Sequence, residues 1–458
     1  MSIKTSTTNR GHFHSQWGFI LASAGSAVGL GNIWGFPTQT ANNGGGAFLF
    51  VYLCVTLLLA VPALYAEITI GNKTQRNPVD ALAYACKNNF PRLGYSAGLL
   101  GLIGAITMLS FYTIVAGWML AHALASLCEL IGWIEISQWL ATSSTERNLL
   151  FTPLFILLTA AIIHQGVHKG IERWSTRLMP MLLIMLISLI IYILQQNGAK
   201  EGLAVYLLPN FDHIFKPQLM IAAMGQAFFS LSIGVGGMMV YGSYLKKNSP
   251  VGKLVLSIAA LDTLIAFLAG LLIIPALYVA QNLGQTVYVD NKLVGESQLI
   301  FQILPTMFNQ MGTGGLIIST LFFSLLSIAA LTSTISATEV PVAFLVEVKS
   351  KNITRVKATW LVSSIVLIAS MTIIAYFDLL FALAIQTLTT IIQPVMCLFY
   401  FIVIGWLWRK GNQLMHLPDI QQPNLPLGLS LTLWGNYLRF VCPLLLIVMF
   451  LFNIKVLT

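Results

Sequence analysis

Three glycines and an asparagine interrupt the middle of a hydrophobic segment near the start of the chain. The segment runs from Trp17 to about Thr40, which is long enough to cross a bilayer, and it contains the run GSAVGLGN from Gly25 to Asn32. Hydrocarbon cannot hydrogen-bond a loosened backbone, so irregular backbone survives at that depth only beside a cavity, an ion or a ligand. We therefore expect a broken helix that holds a polar group in mid-membrane.

The composition is that of a polytopic membrane protein. Hydrophobic residues make up 57% of the 458 residues, charged residues make up 9%, and the mean hydropathy is +0.81. A span needs about 20 mostly apolar residues. Eleven such segments are present, at 17–40, 47–71, 95–127, 149–166, 174–196, 218–243, 252–281, 312–345, 357–376, 379–408 and 433–454. They leave no room for a sizeable soluble domain, so we expect one all-α membrane domain over residues 1–458.

The net charge of +9 is explained by topology rather than by a nucleic-acid partner. With the N-terminus inside, the basic residues that fall on the outer side are Arg147, Lys200, Lys216, Lys292 and Lys455, and all the others flank the inner ends of the spans. This is the positive-inside bias. The sequence predicts a multi-pass protein of the inner (plasma) membrane, with a cytoplasmic N-terminus, an extracytoplasmic C-terminus, the lipid bilayer as its surroundings and no nucleic-acid partner.

A second hydrophobic segment is interrupted in a similar way. Residues 226–237 read QAFFSLSIGVGG and lie five spans after the first interruption. Gly-broken spans at matching positions in two halves indicate an inverted-repeat transporter with a site at the membrane midplane. We expect repeat one over about 10–197, repeat two over about 218–409 and an additional helix over about 433–455. The alternative for any single glycine is close helix packing.

Polar groups inside the spans are few, and each is a functional candidate. Glu67, Asp262 and Glu339 are the ionisable ones, and Thr332 and Ser333 place two adjacent hydroxyls in the eighth span. Such hydroxyls either bond back to a carbonyl one turn earlier or join the free carbonyls of a broken helix as hard oxygen ligands for a small cation. The free amides that begin a half-helix attract a carboxylate.

Metal-ligand spacing is weak in this chain. His164 and His168 lie four residues apart at the inner end of the fourth span, but the sequence offers no third ligand nearby, so we expect a solvated helix end. The five cysteines are scattered, without the spacing of a metal site, and are expected to be small apolar packing residues.

These motifs resemble those of the neurotransmitter:sodium symporter family, in its bacterial branch. Three segments carry the resemblance: WGFILASAG at 17–25 with Asn32, Phe36-Pro37 and NGGGAF at 43–48; GQAFFSLS at 225–232; and LTS at 331–333. The match runs from Arg10 to about the tenth span. It implies an all-α polytopic fold of about eleven transmembrane helices, a 5+5 inverted repeat with helices 1 and 6 broken, for which this family is itself a standard example.

The resemblance also implies two Na⁺ sites and a substrate site. One Na⁺ site would use the substrate carboxylate, the carbonyl of Ala27 and the side chains of Asn32, Ser230 and Asp262. The other would use carbonyls of Gly25, Val28 and Ala329 and the hydroxyls of Thr332 and Ser333. The substrate would present its carboxylate to the amides of Leu30 and Gly31 and the hydroxyl of Tyr112, and its ammonium to carbonyls of the breaks around Ala27 and Ser230. Its side chain would meet Met108, Phe229, Ser232, Val235, Ser333 and Ala337.

Four further positions match residues at the inner gate and the breaks. Arg10 and Glu347 match the inner-gate ion pair of the family, and Phe13 stands where an aromatic plug, commonly Trp, closes that gate. Glu67 matches a carboxylate near the unwound backbone, where it could accept amide hydrogens.

The outer gate departs from the family pattern. Gly35 and Phe381 stand where a basic residue and an Asp usually pair. Losing one partner would strand a charge at the cavity mouth, whereas losing both does not. We expect this gate to close by packing of Phe229, Tyr112 and Phe381, with Gln226 nearby.

The resemblance implies a sodium-coupled symporter that imports amino acids by alternating access, and not an enzyme. Gly29 stands where monoamine carriers have Asp, which favours neutral substrates, apolar or aromatic, that bring their own carboxylate. Asp262 stands where many members have Asn, and Ala266 where many bacterial members have Glu, so Asp262 is expected to balance the Na⁺ charge without chloride.

Two alternatives remain open. One is a proton-coupled carrier of the same fold, which would need a titratable group in place of Thr332 and Ser333. The other is an amino-acid receptor that does not transport, which predicts a damaged inner pathway although Arg10 and Glu347 are present.

Overall fold

The computed structural model describes residues 11–87, 90–211, 214, 216–289, 292–293, 298–348, 353–408 and 431–457. Within these residues the chain is almost entirely helical. Its strands there are two-residue segments, β1 (Tyr288–Val289) and β2 (Lys292–Leu293), which pair antiparallel.

The helices follow one another with short connections. The first ten are α1 (Gln16–Ala27), α2 (Phe36–Asn42), α3 (Gly46–Val55), α4 (Val61–Thr74), α5 (Pro78–Ala85), α6 (Pro91–Leu130), α7 (Ile134–Ala141), α8 (Thr145–Ile163), α9 (Arg173–Leu194) and α10 (Ala199–Leu207). Those of the second half are α11 (Pro217–Ser230), α12 (Gly237–Ser243), α13 (Val251–Asn282), α14 (Leu304–Gln310), α15 (Gly312–Glu347), α16 (Arg355–Ala375), α17 (Phe377–Gln386), α18 (Gln393–Ile402), α19 (Leu431–Asn436) and α20 (Cys442–Leu457).

Wider π-helical turns join or extend several of these helices, at Gly31–Gly35, Thr56–Ala60, Val167–Glu172, Leu299–Ile303, Thr387–Ile392, Val403–Leu407 and Tyr437–Val441. Helix starts follow local sequence signals. Asn77 caps α5 by accepting the amide of Asp80, with proline at the first turn, and Ser144 and Thr354 cap α8 and α16 through their hydroxyls.

Most of the predicted spans are confirmed. Eight helices of the described residues are long and apolar enough to cross a membrane, or nine spans if the bent pair Gln16–Ala27 and Gly31–Asn42 counts as one. The predicted span 218–243 consists of the shorter α11 and α12, and the predicted span 433–454 contains a shorter apolar helix, Leu433–Val448. The all-α polytopic fold is therefore confirmed, and the count of eleven stays a prediction for these two segments.

One predicted boundary is wrong by several residues. The span expected at 174–196 begins at Val167, because a π-helical turn over Val167–Glu172 precedes α9. Gly166, at φ 90°, makes the turn into it. The sequence predicts that residues 167–173 connect two spans. Glu172 is nevertheless buried there, because backbone amides at the start of α1 donate to its carboxylate.

The interior is built around the two longest helices, α6 and α15, which make the most extensive helix–helix contact of the described structure. Helix α1 packs against α15, α13 and α9, and α12 packs against α4. This arrangement surrounds the interruptions of both broken segments with helices, so their backbone is shielded from lipid.

Candidate functional site

The first interruption lies where the sequence predicts it. α1 ends at Ala27, Val28 is extended at φ −70° and ψ 104°, and the helix resumes at Gly31. The two halves are bent by 54°. The segment from Ser23 to Ile33 is buried throughout, so the unwound carbonyls and amides face protein rather than solvent.

The second interruption separates α11 from α12. Between Ser230 and Gly237 the backbone visits the left-handed region three times, at Ser232 (φ 51°), Gly234 (φ 93°) and Gly236 (φ 86°). Glycine adopts this conformation without the penalty that a Cβ brings. Ser232 adopts it as well, a conformation uncommon outside glycine, asparagine and aspartate, and its hydroxyl donates to the carbonyl of Ser26 at 2.9 Å.

Glu67 braces the second interruption. Its Oε2 accepts the amide of Gly234 at 3.0 Å and its Oε1 that of Met239 at 3.4 Å, and the carboxylate is fully buried. The geometry matches the expectation that Glu67 accepts amide hydrogens near unwound backbone. Buried amides without an acceptor would be costly, so this contact stabilises the break.

The two interruptions contact each other. Gln226 Nε2 donates to the carbonyl of Gly31 at 2.7 Å, and the ring of Phe229 packs so closely on Gly31 that a Cβ there would lie 2.9 Å from it. With the contact between Ser232 and Ser26, this brings the predicted substrate residues of both broken helices together at the centre of the fold.

The amide that begins the second half of the first broken helix meets Tyr112. Leu30 N–H donates to the hydroxyl oxygen of Tyr112 at 2.9 Å. A Cβ at Gly29 would lie 2.5 Å from both Tyr112 Oη and Ser333 Oγ, so this glycine is required for the close approach of these groups. Together they make a small polar enclosure at a helix start, the arrangement that suits a carboxylate.

Asn32, Ser230 and Asp262 converge beside that enclosure. Asn32 Nδ2 donates to Asp262 Oδ1 at 2.8 Å, Ser230 Oγ donates to Asp262 Oδ2 at 2.8 Å, and all three residues are fully buried. The hydroxyl of Tyr52 donates to Ser230 Oγ at 3.3 Å. The partners of the carboxylate here are neutral, and its oxygens suit a hard cation, so the donor set fits Na⁺.

The hydroxyls of the eighth span lie against the end of α1. Ser333 Oγ reaches the carbonyls of Ser26 and Val28 at 3.3 and 3.4 Å, across the first interruption. Thr332 Oγ1 donates back to the carbonyl of Ala329 at 3.0 Å, and a Cβ at Gly25 would lie 3.3 Å from Thr332 Cβ. The predicted ligands of the second Na⁺ site are thus neighbours, although Thr332 here makes the local bond that the sequence left open as its alternative.

The remaining predicted pocket residues are also buried. Met108 and Tyr112 come from α6, Val235 from the second interruption and Ala337 from α15. Ala27, which ends α1, is also buried.

Two predicted inner-gate residues, Phe13 and Glu347, have packing or hydrogen-bond partners in the described structure. Phe13 is buried and packs edge-on against Phe19 and Tyr241, with ring centroids 5.4 and 5.6 Å apart. Glu347 accepts the backbone amide and the side-chain Nδ2 of Asn77, both at 2.9 Å. Its predicted partner Arg10 lies outside the described residues, so that pair stays a prediction.

Sequence reasoning missed the partners of Glu339. Arg355 donates to the carboxylate through both terminal nitrogens, from Nη1 to Oε1 at 3.0 Å and from Nη2 to Oε2 at 2.5 Å. The hydroxyl of Tyr244 donates to Oε1 at 2.5 Å. Arg355 Nε also donates to the carbonyl of Ile163 at 2.9 Å, tying α16, α15 and α8 together. A single arginine at a helix start carries no signal for this bidentate pairing, which tertiary packing alone creates.

On the opposite side, the ring of Phe381 packs against three other aromatic rings. Its ring lies 4.7 Å from Phe377, 5.8 Å from Trp118 and 6.2 Å from Phe111 between centroids. The predicted three-way packing of the outer gate therefore stays a prediction, and Phe381 contributes to a neighbouring aromatic group.

That aromatic group continues into the segment before α14. Phe301 lies between Trp34 and Trp118, with centroids 5.8 and 5.4 Å away. A cavity of about 550 Å³ lies beside it, bordered by Trp118, Phe301, Phe377, Asn148 and Gln298 among others.

The expectation of no third ligand near His168 is wrong. His168 Nδ1 lies 2.9 Å from Glu172 Oε2, and its ring stacks on that of His14 at 3.7 Å between centroids. His164 is not part of this cluster, because its Nδ1 faces the carbonyl of Ala160 at 3.1 Å. Folding brings the N-terminal end of α1 beside the π-helical turn, a proximity that local spacing does not encode.

Fold and site together define a polytopic membrane transporter of the broken-helix class. The profile of the Sodium:neurotransmitter symporter family matches residues 10–150 and 148–458. The chain is 31% identical to the Uncharacterized sodium-dependent transporter YhdH of Bacillus subtilis (strain 168), covering 97% of this chain and 98% of that protein. It is 26% identical to the Sodium-dependent neutral amino acid transporter SLC6A17 of Mus musculus, covering 53% and 37%.

A solved structure agrees. The crystal structure of MhsT in complex with L-phenylalanine superposes with a TM-score of 0.81 and 33% identity, over 97% of this chain and 99% of that one. The chain belongs to the sodium:neurotransmitter symporter family. It is a multi-pass membrane protein that carries out sodium-coupled transport, and it is not an enzyme.

Replacing Gly29 with Ala is expected to abolish tight substrate binding. The new methyl group would lie 2.5 Å from Tyr112 Oη and Ser333 Oγ, and overpacking costs about 1–3 kcal/mol, or roughly 5–150-fold in affinity. Gly237→Ala is the matched control at the other interruption, where the nearest atom to a Cβ is Ser26 Oγ at 4.0 Å. Equal binding of amino acid by both variants, measured by equilibrium dialysis, would contradict this role for Gly29.

Proposed function

We propose that the chain imports neutral amino acids with apolar or aromatic side chains, driven by two Na⁺ ions. The observation that carries this proposal is the enclosure formed by the Leu30 amide, the Tyr112 hydroxyl and Gly29, which suits a substrate carboxylate. None of these three groups is an acidic side chain that could pair with a cationic substrate side chain. The phenylalanine held by MhsT and the neutral amino acids named for SLC6A17 support the same substrate class.

The side-chain pocket favours an apolar substrate. Its predicted wall residues Met108, Phe229, Val235 and Ala337 come from α6, α11, the second interruption and α15, and Met108, Val235 and Ala337 are at most 4% exposed. Burying apolar surface against such walls contributes about 25 cal/mol per Å², and no charged side chain of the described structure is among the predicted pocket residues. Charged amino acids would have to lose their hydration there without compensation.

Coupling between Na⁺ binding and substrate binding follows from residues that lie at both predicted sites. Asn32 belongs to the predicted first Na⁺ site and lies one residue after Gly31, whose amide is proposed to hold the substrate. Ser333 joins the predicted second Na⁺ site to the wall of the substrate enclosure through its contacts with Val28 and Gly29. Because ion and substrate share these groups, each raises the affinity of the other by the same factor.

Alternating access would come from rocking of one set of helices against the other. We place repeat one at about 10–197, repeat two at about 218–409 and an added helix at about 433–455. The N-terminus is proposed to be cytoplasmic and the C-terminus extracytoplasmic, in the inner membrane, following the distribution of basic residues.

Uptake by proteoliposomes tests the function. An inward Na⁺ gradient is expected to drive accumulation of radiolabelled phenylalanine, leucine or tryptophan, and replacement of Na⁺ by K⁺ to abolish it. Aspartate and lysine serve as charged comparisons and are expected to be excluded. Accumulation driven equally well by a proton gradient in K⁺ would overturn sodium coupling, and binding without accumulation would indicate a receptor.

Asp262 is proposed to make transport independent of chloride. Its carboxylate is fully buried and is held by the neutral side chains of Asn32 and Ser230, so it supplies one negative charge beside the first Na⁺. Unscreened like charges at such a depth cost several kcal/mol. The charge of Asp262 offsets that repulsion without an additional anion.

Asp262→Asn is therefore expected to lower uptake by about tenfold or more, since each 1.4 kcal/mol is a factor of ten, and to make the remaining uptake rise with chloride. The wild type should work as well in gluconate as in chloride. Asp378→Asn, at an exposed acidic residue of α17, is the matched control. Collapse of wild-type uptake in gluconate would refute the proposal.

Phe381→Ala tests the outer gate. Removing the ring takes away its contacts with Phe111, Trp118 and Phe377 and should increase labelling of a cysteine introduced at Gly225, where a Cβ meets no atom within 4 Å. The experiment uses a background without native cysteines. Leu379→Ala, at a side chain 70% exposed, is the control. Unchanged labelling and uptake in Phe381→Ala would exclude this residue from the gate.

A further inference from the structure

Three potential metal ligands meet at the N-terminal end of α1, away from the predicted Na⁺ sites. The ligand atoms of His14, His168 and Glu172 all lie within 4.8 Å of one another. The first comes from the segment before α1, and the other two from the π-helical turn before α9, more than 150 residues later in the chain. The transport mechanism uses none of the three.

Glu172 is held in a fixed orientation. Its Oε2 accepts the amide of His14 at 3.0 Å, and its Oε1 accepts the amide of Ser15 at 3.2 Å and the hydroxyl of Ser15 at 3.4 Å. The side chain lies directly on Gly18, where a Cβ would come within 2.0 Å of Oε1. The carboxylate is therefore pre-organised, and its residue is only 5% exposed.

The two histidines complete a ligand set of a familiar kind. Their rings stack at 3.7 Å with 21° between the planes, and both residues are exposed, so an ion can enter from solvent. Two imidazoles and a carboxylate, with an open position for water, are ligands that suit Zn²⁺. Imidazole nitrogens favour zinc and similar transition metals over Mg²⁺ or Ca²⁺.

The geometry needs only side-chain adjustment. Ligand nitrogens on one tetrahedral Zn²⁺ lie about 3.3 Å apart, given Zn–N bonds of about 2.0–2.1 Å. The exposed rings of His14 and His168 can rotate to reach this spacing while Glu172 stays in place. The hydrogen bonds that Glu172 accepts from His14 N–H and from Ser15 explain why a carboxylate lies beside the start of α1. They do not require an imidazole ring at position 14 or 168.

We propose that His14, His168 and Glu172 bind one divalent transition-metal ion such as Zn²⁺. The bound ion would tie the start of α1 to the start of α9. A second step rests on the proposed transport function: we expect α1 to separate from α9 when this end of the pathway opens, so the bound ion slows turnover.

Zinc binding is measured on the full chain in detergent, by competition between the protein and a chromophoric chelator. The wild type should bind one equivalent of Zn²⁺ in competition with the chelator. His14→Ala and His168→Ala each remove a direct ligand and should weaken zinc binding by at least about 10–100-fold, the loss known for mutating an outer-shell partner of a metal ligand. His164→Ala is the matched control, because His164 is exposed and lies four residues from His168 without joining the cluster. Equal binding by all three variants would overturn the site.

Two further measurements keep the outcome clear. Glu172→Gln retains the size of the side chain and should weaken zinc binding while its melting temperature stays close to that of the wild type. Co²⁺ bound at the site should give the absorption of nitrogen and oxygen ligands. A thiolate charge-transfer band lost on cysteine replacement would instead assign the ion to the free cysteines and refute the proposal.

The effect on transport is measured in proteoliposomes with Zn²⁺ added to each side in turn. Zn²⁺ on the side of the N-terminus should slow sodium-driven uptake by the wild type, EDTA should restore it, and His14→Ala/His168→Ala should be insensitive. Zinc binding without inhibition would refute the gating step. Failure of the transport function itself is separately visible, because it would abolish wild-type uptake in the absence of zinc.

Discussion

The structure depends on unpaired backbone groups that remain in the middle of a membrane protein. Each interruption frees amides and carbonyls that hydrocarbon cannot satisfy, so the surrounding helices have to supply partners. Glu67 takes the amides of Gly234 and Met239, Tyr112 takes that of Leu30, and Ser232 and Gln226 donate across the centre to carbonyls of the opposite helix. Two of these groups, the hydroxyls of Tyr112 and Ser232, also belong to the proposed substrate site.

Buried charge is used in two different ways. Glu339 is neutralised by a bidentate arginine and accepts a hydrogen bond from a tyrosine, which fixes α15 against α16 near the N-terminal end of α1. Asp262 and Glu67 have neutral partners instead. An uncompensated carboxylate is costly to bury unless a cation accompanies it. The first Na⁺ is therefore proposed beside Asp262, whereas the carboxylate of Glu67 accepts backbone amides.

Two groups of aromatic residues lie at opposite ends of this polar centre. Phe13, Phe19 and Tyr241 pack at the N-terminal end of α1, and Trp34, Trp118 and Phe301 pack at the opposite end beside a cavity of about 550 Å³. Aromatic contacts of this kind contribute about 0.5–1.5 kcal/mol each beyond burial. Contacts of that strength can keep a pathway closed and can still break and re-form during a transport cycle.

The sequence by itself determined the polytopic all-α class, most of the spans and both interruptions. Hydropathy locates the spans, and glycine-rich polar runs, which are scarce within spans, locate the interruptions, so both are local properties of the sequence. It also selected Asn32, Ser230 and Asp262, which the fold brings together. Tertiary structure alone decided which distant groups meet: Arg355 with Glu339, Phe381 with Trp118, and His14 with His168 and Glu172. Those pairings depend on how the helices pack against one another. The spacing of residues along the chain gives no information about the relative position and rotation of two distant helices.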